Sequence, residues 1–218
     1  MAKFDGVIFD LDGTLVDTVE DIGDALNRVL SARRLPVHDY AWYRRTVGSG
    51  IRRLVSDALP PDRRVEATIT ECFDAMLADY GENSLVKTHL YDGVAELLEV
   101  LAAHGLQMAV FSNKADELTQ RVVASLIGAG MFAAVIGAQE GLPMKPDPTA
   151  ALLIATRLGL APSRIAYVGD TGIDMRTATA AGMMAVGVSW GFREREELVE
   201  NGACAVLDHP VELLELGR

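Results

Sequence analysis

The sequence predicts an α/β protein: a three-layer, Rossmann-like core on a parallel sheet, interrupted by an inserted α-helical cap domain. Three observations predict it. Short apolar runs alternate with helical patterns from residue 90 onward, and near-continuous apolar strands joined by helices make a parallel sheet covered on both faces. Between the first apolar run and the second lies a stretch of about 70 residues with helical periodicity alone, as expected of a domain inserted into a core. Charged and polar residues fall just past the ends of several runs, where an open parallel sheet binds its ligands.

The first strand is "GVIFD" (6–10). After it, Thr18 and Asp21 stand three apart like a capping box, ahead of Val19, Ile22, Leu26, Val29 and Leu30 on one helical face. Ile51, Leu54, Val55, Ala58 and Leu59 repeat that face, as do Ile69, Cys72, Phe73, Met76, Leu77 and Tyr80. The expected division is therefore a core of residues 1–16 and 89–218 and a cap of residues 17–88. In the core, a helix from Asp92 to about Ala103 stops at Gly105. Strands then read at 107–112, 132–138, 164–170, 184–189 and, more weakly, 204–207. Helices at about 115–127, 147–159 and 172–181 fall between them, with Pro148 suited to a first helical turn.

Composition removes several classes of function. With 218 residues, half of them hydrophobic, the chain can bury a substantial core. Twenty Lys and Arg against 31 Asp and Glu, a net charge of −11, give no field for a phosphate backbone, so no nucleic acid is expected. The run "MAKFDGVIFD" is no signal peptide, and no uncharged run reaches the length of a membrane span. A cytoplasmic protein with no membrane partner is expected. Cys72 and Cys204 have no metal-ligand spacing and read as two ordinary buried thiols; His38, His89, His104 and His209 show no such spacing either.

The candidate chemistry sits at the strand ends. Asp10 and Asp12 close the first strand, where regular alternation would set two like charges about 7 Å apart on one face. Such an arrangement costs stability unless something uses it. Ser112, Asn113 and Lys114 follow the second strand, Gly169, Asp170 and Asp174 follow a later one, and Lys145 lies in a loop before a helix. Carboxylates, ammoniums and a hydroxyl converging on one edge describe a hard-cation site that also takes an anion. Phosphoryl transfer is the chemistry this suggests.

Four motifs in order, "DLDGTL" (10–15), "FSN" (111–113), "KPDP" (145–148) and "GDTGID" (169–174), identify the chain as resembling the haloacid dehalogenase superfamily of phosphohydrolases. Within it the chain is similar to the phosphoglycolate phosphatase group, also through "LVDTVEDIGDALNRVL", "HGLQMAVFSNK" and "WGF". The resemblance implies Asp10 as nucleophile, Asp12 as general acid and then base, and Ser112, the Asn113 backbone and Lys145 as binders of the phosphoryl group. It implies Mg²⁺ held by Asp10, the Asp12 backbone carbonyl and Asp170, with Asp174 in or next to that shell. Gly13 and Thr14 would supply the turn that aims both aspartates. Ser112 stands where the group usually carries Thr and supplies the same hydroxyl; Ala115 stands where the group often carries Pro, a departure that bears on the shape of the loop around Lys114.

The most informative cap stretch is "RRTVGSGIRR" (44–53), where Gly48 and Gly50 before a helix would offer N–H groups to an anion and Arg52 or Arg53 a fork for a carboxylate, with Gly48 and Arg52 the candidates carried forward. The expected function is a Mg²⁺-dependent phosphatase of a small phosphorylated metabolite, with phosphoglycolate leading. Pyrophosphatase and sugar-phosphate phosphatase or mutase activities share the same motifs. Asp12 argues against a dehalogenase, and Lys87 at the boundary is the only cap lysine open to a Schiff-base route. A phospho-aspartate signalling module would need neither Asp12 nor the cap.

Overall fold

The computed structural model describes residues 4–128 and 130–217. In chain order its elements are β1 (Gly6–Phe9), β2 (Val16–Asp17), α1 (Val19–Ala32), α2 (Tyr40–Thr46), α3 (Ile51–Ala58), α4 (Glu66–Asn83), β3 (His89–Leu90) and α5 (Val94–Ala103). There follow β4 (Gln107–Ala115), α6 (Asp116–Leu126), β5 (Ala134–Ala138), α7 (Thr149–Leu158), β6 (Ile165–Gly169), α8 (Gly172–Ala180), β7 (Met184–Val188), α9 (Arg195–Glu200), β8 (Ala205–Leu207) and α10 (Glu212–Leu216). The long periodic elements match the sequence reading. The short α2, α9 and α10 and the two-residue β2 and β3 were not expected, because so few residues carry no resolvable period. Two compact units result, Met1–Asp17 with Leu90–Arg218, and Thr18–His89.

In the first unit six strands form one sheet in the order β5-β4-β1-β6-β7-β8, every pairing parallel. The chain runs outward from β1 through β4 to β5, and β6 then returns to the other flank of β1. Strand order therefore reverses at β1 and β6, and such a switch point opens a crevice beyond the carboxyl ends of its strands. Phe9, the last residue of β1, is level with Val110 on one side and Val168 on the other. Asp10 and Asp170 are thus delivered to the crevice by register alone. The strands can hold this position because β1 is buried along its whole length. Val7, Ile8 and Phe9 each add about 1.5–3 kcal/mol of apolar burial. On one face of the sheet Ile8, Phe111, Ile136, Ile154, Tyr167 and Met175 share a continuous core.

Cys204 departs from the expectation of two buried thiols. Cys72 is buried, whereas Cys204 is exposed, because it precedes the edge strand β8, and its thiol donates to the Ala185 carbonyl at 3.0 Å.

In the second unit α1 packs on α2 and α4, and α3 packs on α4. The capping box expected of Thr18 and Asp21 does not form. Thr18 is the N-cap residue of α1, but its backbone is helical (φ −113°, ψ −1°) and its side chain makes no cap bond; a capping side chain needs extended backbone to reach the N3 amide. Asp21 is turned instead to the far end of the unit. Its carboxylate accepts from the Lys87 amide at 3.1 and 2.9 Å, the Thr88 amide at 2.9 Å and the Thr88 hydroxyl at 2.8 Å. One buried aspartate thus ties the first turn of α1 to the last residues of the helical segment. Asp21→Ala strands those donors away from water, and urea denaturation is expected to show a loss of about 2–4 kcal/mol. A loss below about 0.5 kcal/mol would mean that solvent replaces the carboxylate without cost.

Candidate active site

The site is assembled at the carboxyl edge of the first unit. Asp10 leaves β1 with its backbone amide still bonded to the Val168 carbonyl of β6 at 2.9 Å. Its Oδ1 accepts from the Leu11 amide at 2.7 Å and from Lys145 Nζ at 2.7 Å. The chain then turns back on itself: the Leu11 carbonyl accepts from the amides of Thr14, Leu15 and Val16, and Gly13 N–H donates to the Val16 carbonyl. Gly13 sits at φ +90°, a conformation that only glycine adopts without strain. The turn ends strand alternation and presents Asp12 beside Asp10.

Lys145 is the hinge of the charge pattern. Its ammonium bridges Asp10 Oδ1 and Asp174 Oδ1, each at 2.7 Å, with its side chain only 2% exposed. Asn113 fixes it from behind through two backbone bonds: the Asn113 side-chain oxygen accepts from the Lys145 amide at 2.9 Å, and the Asn113 side-chain nitrogen donates to the Lys145 carbonyl at 3.2 Å. The Asn113 side chain is thereby committed to placing Lys145.

Asp174 belongs to a true capping box. Thr171, extended at φ −125° and ψ 157°, caps α8, and Asp174 Oδ2 accepts from the Thr171 amide at 3.1 Å and its hydroxyl at 2.5 Å. Asp170 is held by neutral donors, the Phe192 amide at 2.8 Å and the Thr14 hydroxyl at 3.1 Å. Carboxylate oxygens of Asp10, Asp170 and Asp174 lie within 4.8 Å of one another. Such crowding shows in the acidity of Asp10 and Asp170. Burial, reinforced by the Asp174 charge and opposed by Lys145, pushes Asp10 well above the usual carboxylate range. Burial and then Asp174 push Asp170 up to about 7. Burial works against the Lys145 ammonium, but Asp10 and Asp174 outweigh it and raise its pKa.

Ser112 is buried at the same edge, and its hydroxyl accepts from the Lys114 amide at 3.2 Å. Lys114, expected at this edge with no partner named for it, places its ammonium 2.9 and 3.2 Å from the two oxygens of Asp12. Asp10, Asp12, Ser112, Asn113, Lys145, Asp170 and Asp174 all lie in the first unit. Gly48 and Arg52 belong to the second. There Gly48 and Gly50 take φ of 133° and 84°, and Arg52 is engaged within its own unit by Glu66, the Thr70 hydroxyl and the face of Phe73.

Close approach at this edge explains a residue that the motif reading did not single out. A Cβ on Gly191 would lie 2.3 Å from both the Asp170 Cβ and the Gly13 carbonyl oxygen. Two glycines therefore make the seat of Asp170, one from each side. The signal in the sequence is Gly191 within "WGF", but a lone glycine after a strand does not say what approaches it.

A doubly wound α/β enzyme core with an oxygen-rich acidic site at its switch point is the class defined here. The chain belongs to the haloacid dehalogenase-like hydrolase family, whose model matches residues 7–188. It is 32% identical over 220 aligned positions to a phosphoglycolate phosphatase of Escherichia coli O157:H7, covering 91% of this chain and 87% of the relative. To phosphoglycolate phosphatase 1 of Pseudomonas aeruginosa it is 31% identical over 211 positions, covering 95% and 78%. Among solved structures, one described as a predicted phosphoglycolate phosphatase from Haemophilus somnus superposes with a TM-score of 0.91 at 27% identity, over the whole of both chains. A haloacid dehalogenase-like family protein of Streptococcus pneumoniae superposes at 0.89 with 23% identity, also over the whole of both chains, and shares the fold.

Gly191→Ala is expected to cost about 1–3 kcal/mol in urea denaturation, since backbone rather than a flexible side-chain end must yield. An unchanged midpoint would show that the loop after β7 can move off Asp170.

Proposed function

We propose that this haloacid dehalogenase-like phosphatase hydrolyses a small phosphorylated metabolite, phosphoglycolate first among them, through an aspartyl-phosphate on Asp10. One observation carries the reading: Lys145 bridges Asp10 to Asp174 at the mouth of the switch point, with Asp170 in the same cluster and Asp12 two residues on.

Both donors to Asp10 reach Oδ1, so Oδ2 is the oxygen assigned to attack. It forms the new bond to phosphorus as the bond to the leaving oxygen breaks. Asp12 delivers a proton to that oxygen, then takes one from the water that attacks the phosphorus and frees Asp10. Ser112, the Asn113 backbone amide and Lys145 are assigned to the phosphoryl oxygens.

Mg²⁺ fits the donor set. Three buried carboxylates meet one bridging ammonium, which leaves an excess of buried negative charge on oxygen donors, the surroundings of a hard divalent cation. Asp10, Asp170 and the Asp12 backbone carbonyl would hold it, with Asp174, already bonded to Lys145 and Thr171, beside them. When bound, the ion supplies positive charge against the phosphoryl oxygens.

Phosphoglycolate is favoured by the names of the relatives at 31–32% identity. The helical unit is assigned the part of a specificity cap, with Gly48 and Arg52 as its candidate contacts. A Schiff-base route through Lys87 is disfavoured: its ammonium pairs with Asp24 at 2.9 Å and Glu20 at 3.1 Å and bonds the Tyr40 hydroxyl at 3.1 Å. Those partners, Asp24 first, hold Lys87 protonated and raise its pKa, and an ammonium is no nucleophile.

The test is phosphate release from phosphoglycolate, pyrophosphate, hexose phosphates and nucleoside monophosphates, with Mg²⁺ and with chelator. Phosphoglycolate is expected to give the highest kcat/KM, and chelator to abolish release. Asp10→Asn should lose at least about a thousandfold in kcat; full activity in that variant would remove Asp10 as nucleophile. In thermal melts Mg²⁺ is expected to raise the midpoint of the wild type and not that of Asp170→Asn, because a ligand stabilises only the state that binds it. Equal shifts in both would place the ion elsewhere.

A further inference from the structure

The site holds a second buried ammonium that the proposed reaction does not use. Lys114 has a side chain only 2% exposed, and it meets both oxygens of Asp12 at 2.9 and 3.2 Å. Burying a lysine carries a large desolvation cost unless a partner offsets it. Here the partner is the carboxylate to which the reaction assigns proton transfer.

Local backbone explains how Lys114 reaches this place. In β4, Phe111 is level with Ile136 and Ala115 with Ala138, so Ser112, Asn113 and Lys114 stand opposite the single residue Gly137. The strand therefore carries an extra stretch, and a bulge of this kind re-aims side chains that regular alternation would send to opposite faces. On the other flank β1 and β4 are in register to Phe9 and Val110. Their overhanging ends carry Asp12 and Lys114 forward side by side. Lys114 is fixed at its own backbone, where its amide donates to the Ser112 hydroxyl at 3.2 Å and its carbonyl accepts from the Thr119 hydroxyl at 3.1 Å.

Asp12 differs from the other acids of the site. Asp10, Asp170 and Asp174 each accept a hydrogen bond from a backbone amide. The turn from Leu11 to Val16 fixes the Asp12 backbone, but among the described residues it is Lys114 that donates to the Asp12 carboxylate. A carboxylate on two rotatable bonds transfers a proton well only when held within hydrogen-bond reach of the reacting oxygen.

We infer that Lys114 is a positioning residue for the proposed reaction: its ammonium, aimed by the bulge in β4, holds the Asp12 carboxylate at the leaving-group oxygen. The inference rests on the phosphatase reading above. It assigns Lys145 and Lys114 separate tasks, the first on the nucleophile and the second on the acid/base.

The test compares wild type, Lys114→Met and Lys114→Arg on two substrates in Mg²⁺, phosphoglycolate and p-nitrophenyl phosphate. An alkoxide needs a proton to leave; nitrophenolate departs without one. The readout is kcat/KM, which covers events up to phosphorylation of Asp10 and leaves out the hydrolysis common to both substrates. Lys114→Met is expected to lower kcat/KM for phosphoglycolate at least about tenfold more than for p-nitrophenyl phosphate, a fraction of the 10²–10⁴ that acid–base catalysis supplies. Lys114→Arg, which keeps the charge, should recover most of that difference. Because the two substrates share each preparation, their ratio does not depend on how much of a variant is folded. An unchanged ratio in Lys114→Met, whether both rates fall together or neither falls, overturns the positioning role and leaves the phosphatase reading standing. Failure of the wild type on both substrates overturns the phosphatase reading itself.

Discussion

Three buried carboxylates crowd into less than 5 Å at the switch point of the sheet, and the rest of the first unit is arranged around that repulsion. Left alone, such a cluster would protonate or swell apart. Lys145 prevents it by bridging two of the three, and Asn113 keeps Lys145 in place through its backbone rather than its charge. Asp174 is immobilised by the first turn of α8, and Asp170 by the loop that follows β7. Each acid is thus anchored to a different element. No single loop movement can relieve the crowding, so the cluster persists as a standing demand for positive charge, which is the condition that favours a hard divalent cation.

Lysine appears twice at this edge, and the two are not alternatives. Lys145 comes from a loop and reaches across to β1 and α8; Lys114 comes from an irregular strand and reaches Asp12. Exchange of the two tasks is blocked by geometry, since each ammonium is already within 3 Å of its own carboxylate. Asp10 and Asp12, the proposed nucleophile and proton carrier, stand two residues apart and are therefore each paired with a different ammonium. Such separation matters where one acid must stay unprotonated while its neighbour changes state twice in a cycle.

Much of this was legible in the sequence, and the parts that were not share a cause. Apolar runs located the six core strands, and polar residues just past them located Asp10 and Asp170, because register carries strand ends to one edge whatever the loops do. Local spacing was a poorer guide. Thr18 and Asp21 have the same Thr-x-x-Asp spacing as Thr171 and Asp174, yet only the second pair closes a capping box. What separates them is the backbone of the threonine, helical in one case and extended in the other, and a competing set of amides more than sixty residues away at Lys87 and Thr88. Neither can be read from four residues. The partner of Lys114 escaped for a similar reason, since the bulge that aims this lysine depends on how β4 meets β5, and pairing is invisible to periodicity.

Glycine carries the remaining information. Gly169 ends β6 where a Cβ would lie 2.4 Å from the Asp174 side chain, and Gly13 and Gly191 leave the space that Asp170 fills. These positions end or follow strands as ordinary turn glycines do. Their distinguishing property is what stands opposite them: in each case a buried carboxylate. A side chain at any of the three would force an acid away from the cluster, and with it the one element that anchors that acid. The glycines are therefore as much a part of the charge arrangement as the lysines, since an ammonium can offset repulsion only between groups that the backbone first allows to approach.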